Sequence, residues 1–204
     1  MMKQLCFLVM LILPMAGTGC LGLKPVQDTT RHLVLSVPAG TTPPPPAWDL
    51  LRLAVGLTPI TLPGYLESRW MAVRDGDNEI QYSEVHRWGE HLEDGIRRVL
   101  ALHLEQLLPA SRVEARTWRP DAVRWEVFVE FQHCECFRDG RVLVAGRWRF
   151  GPPLSFETAG SGEARMELAG PPPEQDPAGA AAALSRALAG FARELAAALA
   201  AAGG

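Results

Sequence analysis

Residues 85–108, VHRWGEHLEDGIRRVLALHLEQLL, constrain the fold of this chain more than any other stretch. Trp88, Leu92, Ile96, Val99, Leu100, Leu104, Leu107 and Leu108, with His103 in the same row, recur at steps of three and four. That spacing lays one apolar stripe along a helix. Glu93, Asp94, Arg97, Arg98, Glu105 and Gln106 fall on the opposite, wet side. Such a stripe needs a partner surface, and runs with strand-like alternation flank it on both sides. The expectation is one α+β domain: a largely antiparallel mixed sheet with two amphipathic helices packed on one face.

The second helix is read from the tail. Asp176-Pro177 is an N-cap followed by proline at the first helical position. Leu184, Leu188, Phe191, Leu195 and Leu199 then form a narrow stripe in an alanine-rich body that ends at Gly203-Gly204. Packing on the sheet is favoured over lying on a membrane surface, because only Arg186 and Arg193 flank the apolar face. The strands are expected at 32–37, 50–57, 70–74 and, after a turn at 75–78, 79–82. Further strands are expected at 112–118 and 164–168. Residues 38–47, PAGTTPPPPA, are a proline-rich loop without core-forming capacity.

The clearest local signal is a hairpin. Trp125, Val127, Val129 and Phe131 share one face of its rising arm, and Val142, Val144, Trp148 and Phe150 share one face of its falling arm. Asp139-Gly140 is a two-residue turn signal. Pairing across that turn sets Phe131 against Trp148, Val129 against Phe150 and Glu130 against Arg149. The outer face then carries an apolar patch of Phe128, Cys134, Cys136, Leu143 and Ala145. Phe128 and Leu143 are the expected partner-facing residues, covered by another protein or by a second copy of the chain; the alternative is that the Gly/Pro loop at 151–162 folds back over the patch. Replacing each by Glu is expected to weaken assembly and leave the monomer folded.

The 204 residues suffice for one ordinary domain, and no internal repeat is visible. A net charge of −3 lacks the basic footprint of a nucleic-acid binder. No HExxH, G-x-S-x-G, P-loop or dinucleotide fingerprint occurs, and no catalytic residue or cofactor is assigned. Cys134 and Cys136, two apart on a regular strand, project in parallel, so a disulfide between them needs a bulge. His133 points the other way and no second ligand pair has zinc spacing, so no metal is expected.

At the N-terminus, Lys3 precedes an apolar run, Leu5–Met15, too short to span a bilayer. Ala16-Gly17-Thr18-Gly19 and Cys20 follow. This resembles a bacterial lipoprotein signal, with Gly17 where an aliphatic residue is usual; plain secretory cleavage before Cys20 is the alternative. The resemblance implies residues 1–19 as signal peptide, lipid on Cys20, a tether over 20–31 and a folded domain over 32–204. Leu21 after the cysteine implies sorting to the outer membrane.

The chain resembles PqiC-type lipoproteins, auxiliary subunits of MCE-linked membrane transport systems. The resemblance rests on Leu62-Pro63-Gly64-Tyr65-Leu66, Arg74, Arg87-Trp88 with Glu90 and Leu92, and Ile96 with Val99-Leu100. Val127-Phe128-Val129, Ala145 with Arg147-Trp148, and Leu184-Ser185-Arg186-Ala187-Leu188 complete it. It departs at Ser68–Ala72 and at His91. It implies a non-catalytic lipoprotein of the outer membrane, facing the periplasm. Its partner would be an MCE-domain (PqiB-like) tunnel protein, and its role lipid transport that maintains membrane integrity. The competing reading is a periplasmic lipoprotein that itself holds a small apolar ligand or lipid between sheet and helices.

Overall fold

Thirteen residues, Trp125–Phe137, form the strand on which the others assemble. The computed structural model describes residues 28–37, 54–108 and 112–203. In chain order its elements are β1 (Arg31–Leu33), β2 (Ala54–Leu57), β3 (Trp70–Arg74), β4 (Ile80–Trp88) and α1 (Leu92–Leu107). They continue with β5 (Arg112–Glu114), β6 (Trp125–Phe137), β7 (Arg141–Gly151), β8 (Gly160–Ala169) and α2 (Pro177–Gly203). Along one edge β6 pairs antiparallel with β7, which pairs antiparallel with β8. Its other edge is shared. β2 joins in parallel at Trp125–Val127, Thr61 bridges to Glu130, and β3 joins in parallel at Cys136–Phe137. Beyond β3 lie β4 and then β1; beyond β2 lies β5. The expected α+β domain with a mixed sheet and two helices is what forms.

α2 lies across β6, β7 and β8, and α1 packs beside it and against β5. Asp176 caps α2 as expected, its Oδ1 accepting from the Gly179 N–H at 2.9 Å. The alanine body lets α2 sink into the core, where Leu184, Leu188, Phe191, Leu195 and Leu199 are all fully buried. Across from it, the indole of Trp148 and the ring of Phe150 lie over Gly162 and Gly160 of β8. A Cβ on Gly162 would come within 2.7 Å of the Trp148 ring, so these glycines make room for the aromatic row.

α1 begins seven residues later than its stripe suggested (Leu92, not Val85). Val85–Trp88 instead close β4, where backbone hydrogen bonds hold them: Trp88 N–H donates to Arg69 O at 2.7 Å and Gly89 N–H to Leu33 O at 2.7 Å. Trp88 is buried as a strand residue; its place in the helical row is coincidental. Two other strands are shorter than expected, at Arg31–Leu33 and Arg112–Glu114. Leu35 is nonetheless buried, and Arg98 Nη2 of α1 donates to its carbonyl at 3.0 Å. The expected strand at 50–57 is seen as Ala54–Leu57; its earlier residues, the proline-rich loop and the proposed signal and tether up to residue 27 lie outside the described residues.

The hairpin register differs from the expectation, and for two local reasons. The loop has three residues, 138–140, with Gly140 at φ +91° and its N–H donating to Phe137 O at 3.0 Å. A β-bulge then falls between Phe131 and His133, leaving Gln132 as the extra residue. Each feature shifts the pairing by one, so Val129 faces Trp148, Val127 faces Phe150 and Glu130 faces Arg147. The two shifts together preserve the faces of residues 125–131. Phe131 and Trp148 do point to the helices, but they meet through Phe191 of α2, at ring-centroid distances of 4.8 and 5.2 Å. Between the bulge and the turn the parity is inverted. Cys134 and Cys136 therefore face the core, with Cys136 Sγ 3.8 Å from Ala180 O of α2, and do not belong to an outer patch.

Phe191 ties α2 to both arms of the hairpin, so Phe191→Ala is expected to cost about 3–5 kcal/mol. Chemical unfolding followed by near-UV circular dichroism measures it.

Candidate functional site

The parity inversion that buries the cysteines turns Glu135 to the face away from the helices. There the carboxylate is wholly buried yet saturated. Arg74 Nε donates to Oε1 at 2.6 Å and Tyr65 OH to Oε2 at 2.6 Å. His133 Nδ1 lies 3.0 Å from Oε1, and the Cys134 N–H approaches Oε2 at 3.4 Å. A carboxylate only accepts, so His133 faces it with a protonated Nδ1.

Three elements converge on this group. β6 supplies Glu135 and His133. The end of β3 supplies Arg74, whose Nη1 also donates to Asp77 O at 3.0 Å and whose Nη2 donates to Tyr65 OH at 3.2 Å. A one-turn 3-10 helix, Gly64–Leu66, supplies Tyr65 and is held from outside by Tyr82 OH donating to Tyr65 O at 2.9 Å. Pro63 precedes that turn with φ −58°, and Leu66 fixes its inner side in the core. Tyr65 and Arg74 are among the residues that carry the family resemblance; Glu135, which unites them, is not.

The electrostatics are those of a structural ion cluster. Burial alone would raise the Glu135 carboxyl, but the hydrogen bonds from Tyr65, His133 and Arg74, with the Arg74 charge, outweigh it and hold it below 4.5. Burial and the neighbouring carboxylate push the Tyr65 phenol up to about 12. Burial likewise pushes Cys136 up to about 12 and Cys134 well above 9.0. Glu135 thus has no free lone pair aimed at solvent, and neither thiol supplies a thiolate nucleophile. The arrangement locks the 63–67 turn and β3 onto β6.

The rest of this face is a charged sheet surface. Arg147 makes a bidentate pair with Glu130, with N–O distances of 2.8 to 3.1 Å, and both groups are exposed, so the pair contributes under about 1 kcal/mol. Arg149 stacks 3.8 Å above the ring of half-buried Phe128. These residues, with Thr58, Pro59, Thr61 and Glu163, border an open groove of about 660 Å³. Of the expected site residues, Phe128 lines that groove, Leu143 is buried within the chain at 3% exposure, and Cys20 lies outside the described residues. Leu143→Glu would bury a carboxylate, so it cannot separate assembly from folding; Phe128→Glu can. Among the described residues no helix is long and apolar enough to cross a membrane, and no cluster of His, Cys, Asp or Glu is arranged to hold a metal ion.

The sequence matches the family described as ABC-type transport auxiliary lipoprotein component over residues 33–196. The chain belongs to this family. The match runs from the last residue of β1 to within the final turns of α2, so it covers the sheet, both helices and the Glu135 cluster. No curated protein matches the chain. Among solved structures, an uncharacterized protein superposes with a TM-score of 0.66 at 16% identity, over 82% of this chain and 97% of its own. Protein XCC0632 from Xanthomonas campestris gives a TM-score of 0.61 at 16% identity, over 83% of this chain and 90% of its own. At that identity the likeness shows a shared fold.

Arg74→Ala leaves Glu135 buried without its main cation and is expected to cost about 3–5 kcal/mol in unfolding free energy. The lowered carboxyl also sets a pH dependence. The ionised form stabilises the native state above 4.5, and that contribution is lost as pH falls through the lower folded value. Glu135→Gln is therefore expected to flatten the acid limb of the stability profile below pH 4.5 in thermal melts taken across pH.

Proposed function

We propose that this auxiliary lipoprotein is held in the outer membrane by lipid on Cys20 and faces the periplasm. There it docks an MCE-domain (PqiB-like) protein as a non-catalytic subunit of a lipid transport system that maintains membrane integrity. The observation that carries the reading is the family match, which covers the folded domain and begins 13 residues after the cysteine of a lipoprotein-type signal. A non-catalytic role is supported by the chemistry of the buried groups, since Glu135 is saturated and both thiols are held protonated. On this reading residues 21–30 are a leash, and the groove beside Phe128 is the partner-facing part of the sheet, whether towards the MCE protein or towards a second copy.

The competing reading places an apolar ligand between sheet and helices. Phe131, Trp148, Phe191 and the leucines of α2 fill that space, and the open groove lies on the opposite face beside Phe128, Arg147 and Arg149. The observed packing favours the docking subunit.

Two acyl chains or more on one cysteine exceed the threshold for stable anchoring. Cys20→Ser is expected to leave the thermal midpoint unchanged and to move the protein from the membrane to the soluble periplasmic fraction. Mass spectrometry of the wild-type N-terminus should find a lipid-modified cysteine as the first residue. Affinity purification of the wild type from solubilised membranes should recover an MCE-domain protein. A soluble wild type with an unmodified cysteine would contradict the anchoring, and recovery without an MCE-domain protein would contradict the docking.

A further inference from the structure

Between β7 and β8 the chain presents Leu154 and Phe156 at the tip of a short loop. Leu154 is 86% exposed and Phe156 is fully exposed. Single exposed apolar residues are ordinary; here the two most exposed large apolar residues among those described lie two positions apart on one loop. The loop is also built. Pro152 and Pro153 restrict its first half. The Ser155 N–H donates to Pro152 O at 3.2 Å, the Glu157 N–H to Ser155 Oγ at 3.1 Å and the Ala159 N–H to Phe150 O at 2.8 Å. Leu154 alone among the described non-glycine residues has a positive φ, +60°, which the 152–155 turn demands at its third position, after Pro153, and the Ser155–Pro152 hydrogen bond holds it there.

The topology says which way this tip points. β1 runs parallel to β4, which runs antiparallel to β3, and β3 runs parallel to β6. The chain therefore enters β1 from the end of the sheet where β6 finishes, near Cys136 and Phe137. The tip leaves from the opposite end, where Gly151 pairs with Glu126. Along β6 residues 126–136 span roughly 33 Å at about 3.3 Å per residue. If Cys20 is the anchor, the tip is at the end of the domain remote from the tether. On that reading the tip points away from the anchoring membrane, toward a partner that approaches through the periplasm.

We propose that Leu154 and Phe156 form an apolar plug that seats in an apolar cleft of the MCE-domain partner, at the end of the domain away from the lipid anchor. The proposal rests on the docking function given above and names the contact that performs it. Two side chains held in place by a hydrogen-bonded loop enter such a cleft without losing much further freedom, which is what a central anchor of an interface requires.

The test uses the full-length lipoprotein in its native membrane. A photoreactive phenylalanine analogue at position 156 is irradiated, and the crosslinked product is identified by mass spectrometry. In parallel, L154S/F156S is purified from solubilised membranes beside the wild type. The expected results are a crosslink to the MCE-domain protein and a loss of at least about tenfold in its co-purification with the double variant, at an unchanged thermal midpoint. Crosslinks confined to lipid or to a second copy would overturn the plug, as would undiminished recovery by the double variant while the wild type retains its partner. If the wild type itself recovers no MCE-domain protein, the docking function and the plug fall together.

Discussion

One extra residue in one strand governs the rest of this molecule. Along β6 side chains alternate between faces, and the bulge at Gln132 reverses that alternation. Before it, Val127, Val129 and Phe131 face the helices; after it, Cys134 and Cys136 do. Without the bulge, Glu135 would point into the aliphatic core under α2, where a carboxylate finds no partner. With it, the core stays continuous from Trp125 to Cys136, and the only buried carboxylate among the described residues is delivered to Arg74, Tyr65 and His133.

That delivery decides how the sheet is divided. β6 has to serve β2 at one end and β3 at the other, and the chain between them, residues 58–69, must leave its edge part-way. It leaves just where the bulge lies: the Phe131 N–H donates to Thr61 O at 2.9 Å, and the next residues turn away into the Gly64–Leu66 helix. A buried ion pair contributes little net stability against an apolar replacement, so the cluster is better understood as fixing which of several arrangements forms. Removing a partner is costly because the others remain buried.

The sequence made much of this legible, and the failures share a cause. α2 was plain because its signals are local: Asp176, Pro177 and a leucine row. The hairpin was plain because Asp139-Gly140 sits between two alternating arms. Its register was not, since Gln132 is an ordinary exposed polar residue that carries no mark of a bulge, and an unbroken alternation reads equally well through it. The Glu135 cluster was hidden for the same reason, and because its partners lie 70 and 61 residues away. Val85–Trp88 fit the row of the first helix because a helical row and a strand end share apolar positions over a few residues. The exposed pair Leu154 and Phe156 lies between the falling arm of the hairpin and the strand expected at 164–168, where neither periodicity nor composition distinguishes a covered residue from a bare one.

The parity reversal is tested most directly by its effect on the thiols. Cys134 and Cys136 of the native protein are exposed to a small alkylating reagent, and the labelling of each is followed by peptide mass spectrometry across a denaturant series. With both thiols under α2, they resist labelling in water, and their rates rise together with global unfolding. Rapid labelling of either cysteine under native conditions, well ahead of unfolding, would show that the thiols do not lie under α2 and contradict the bulged register on which the fold and the site depend.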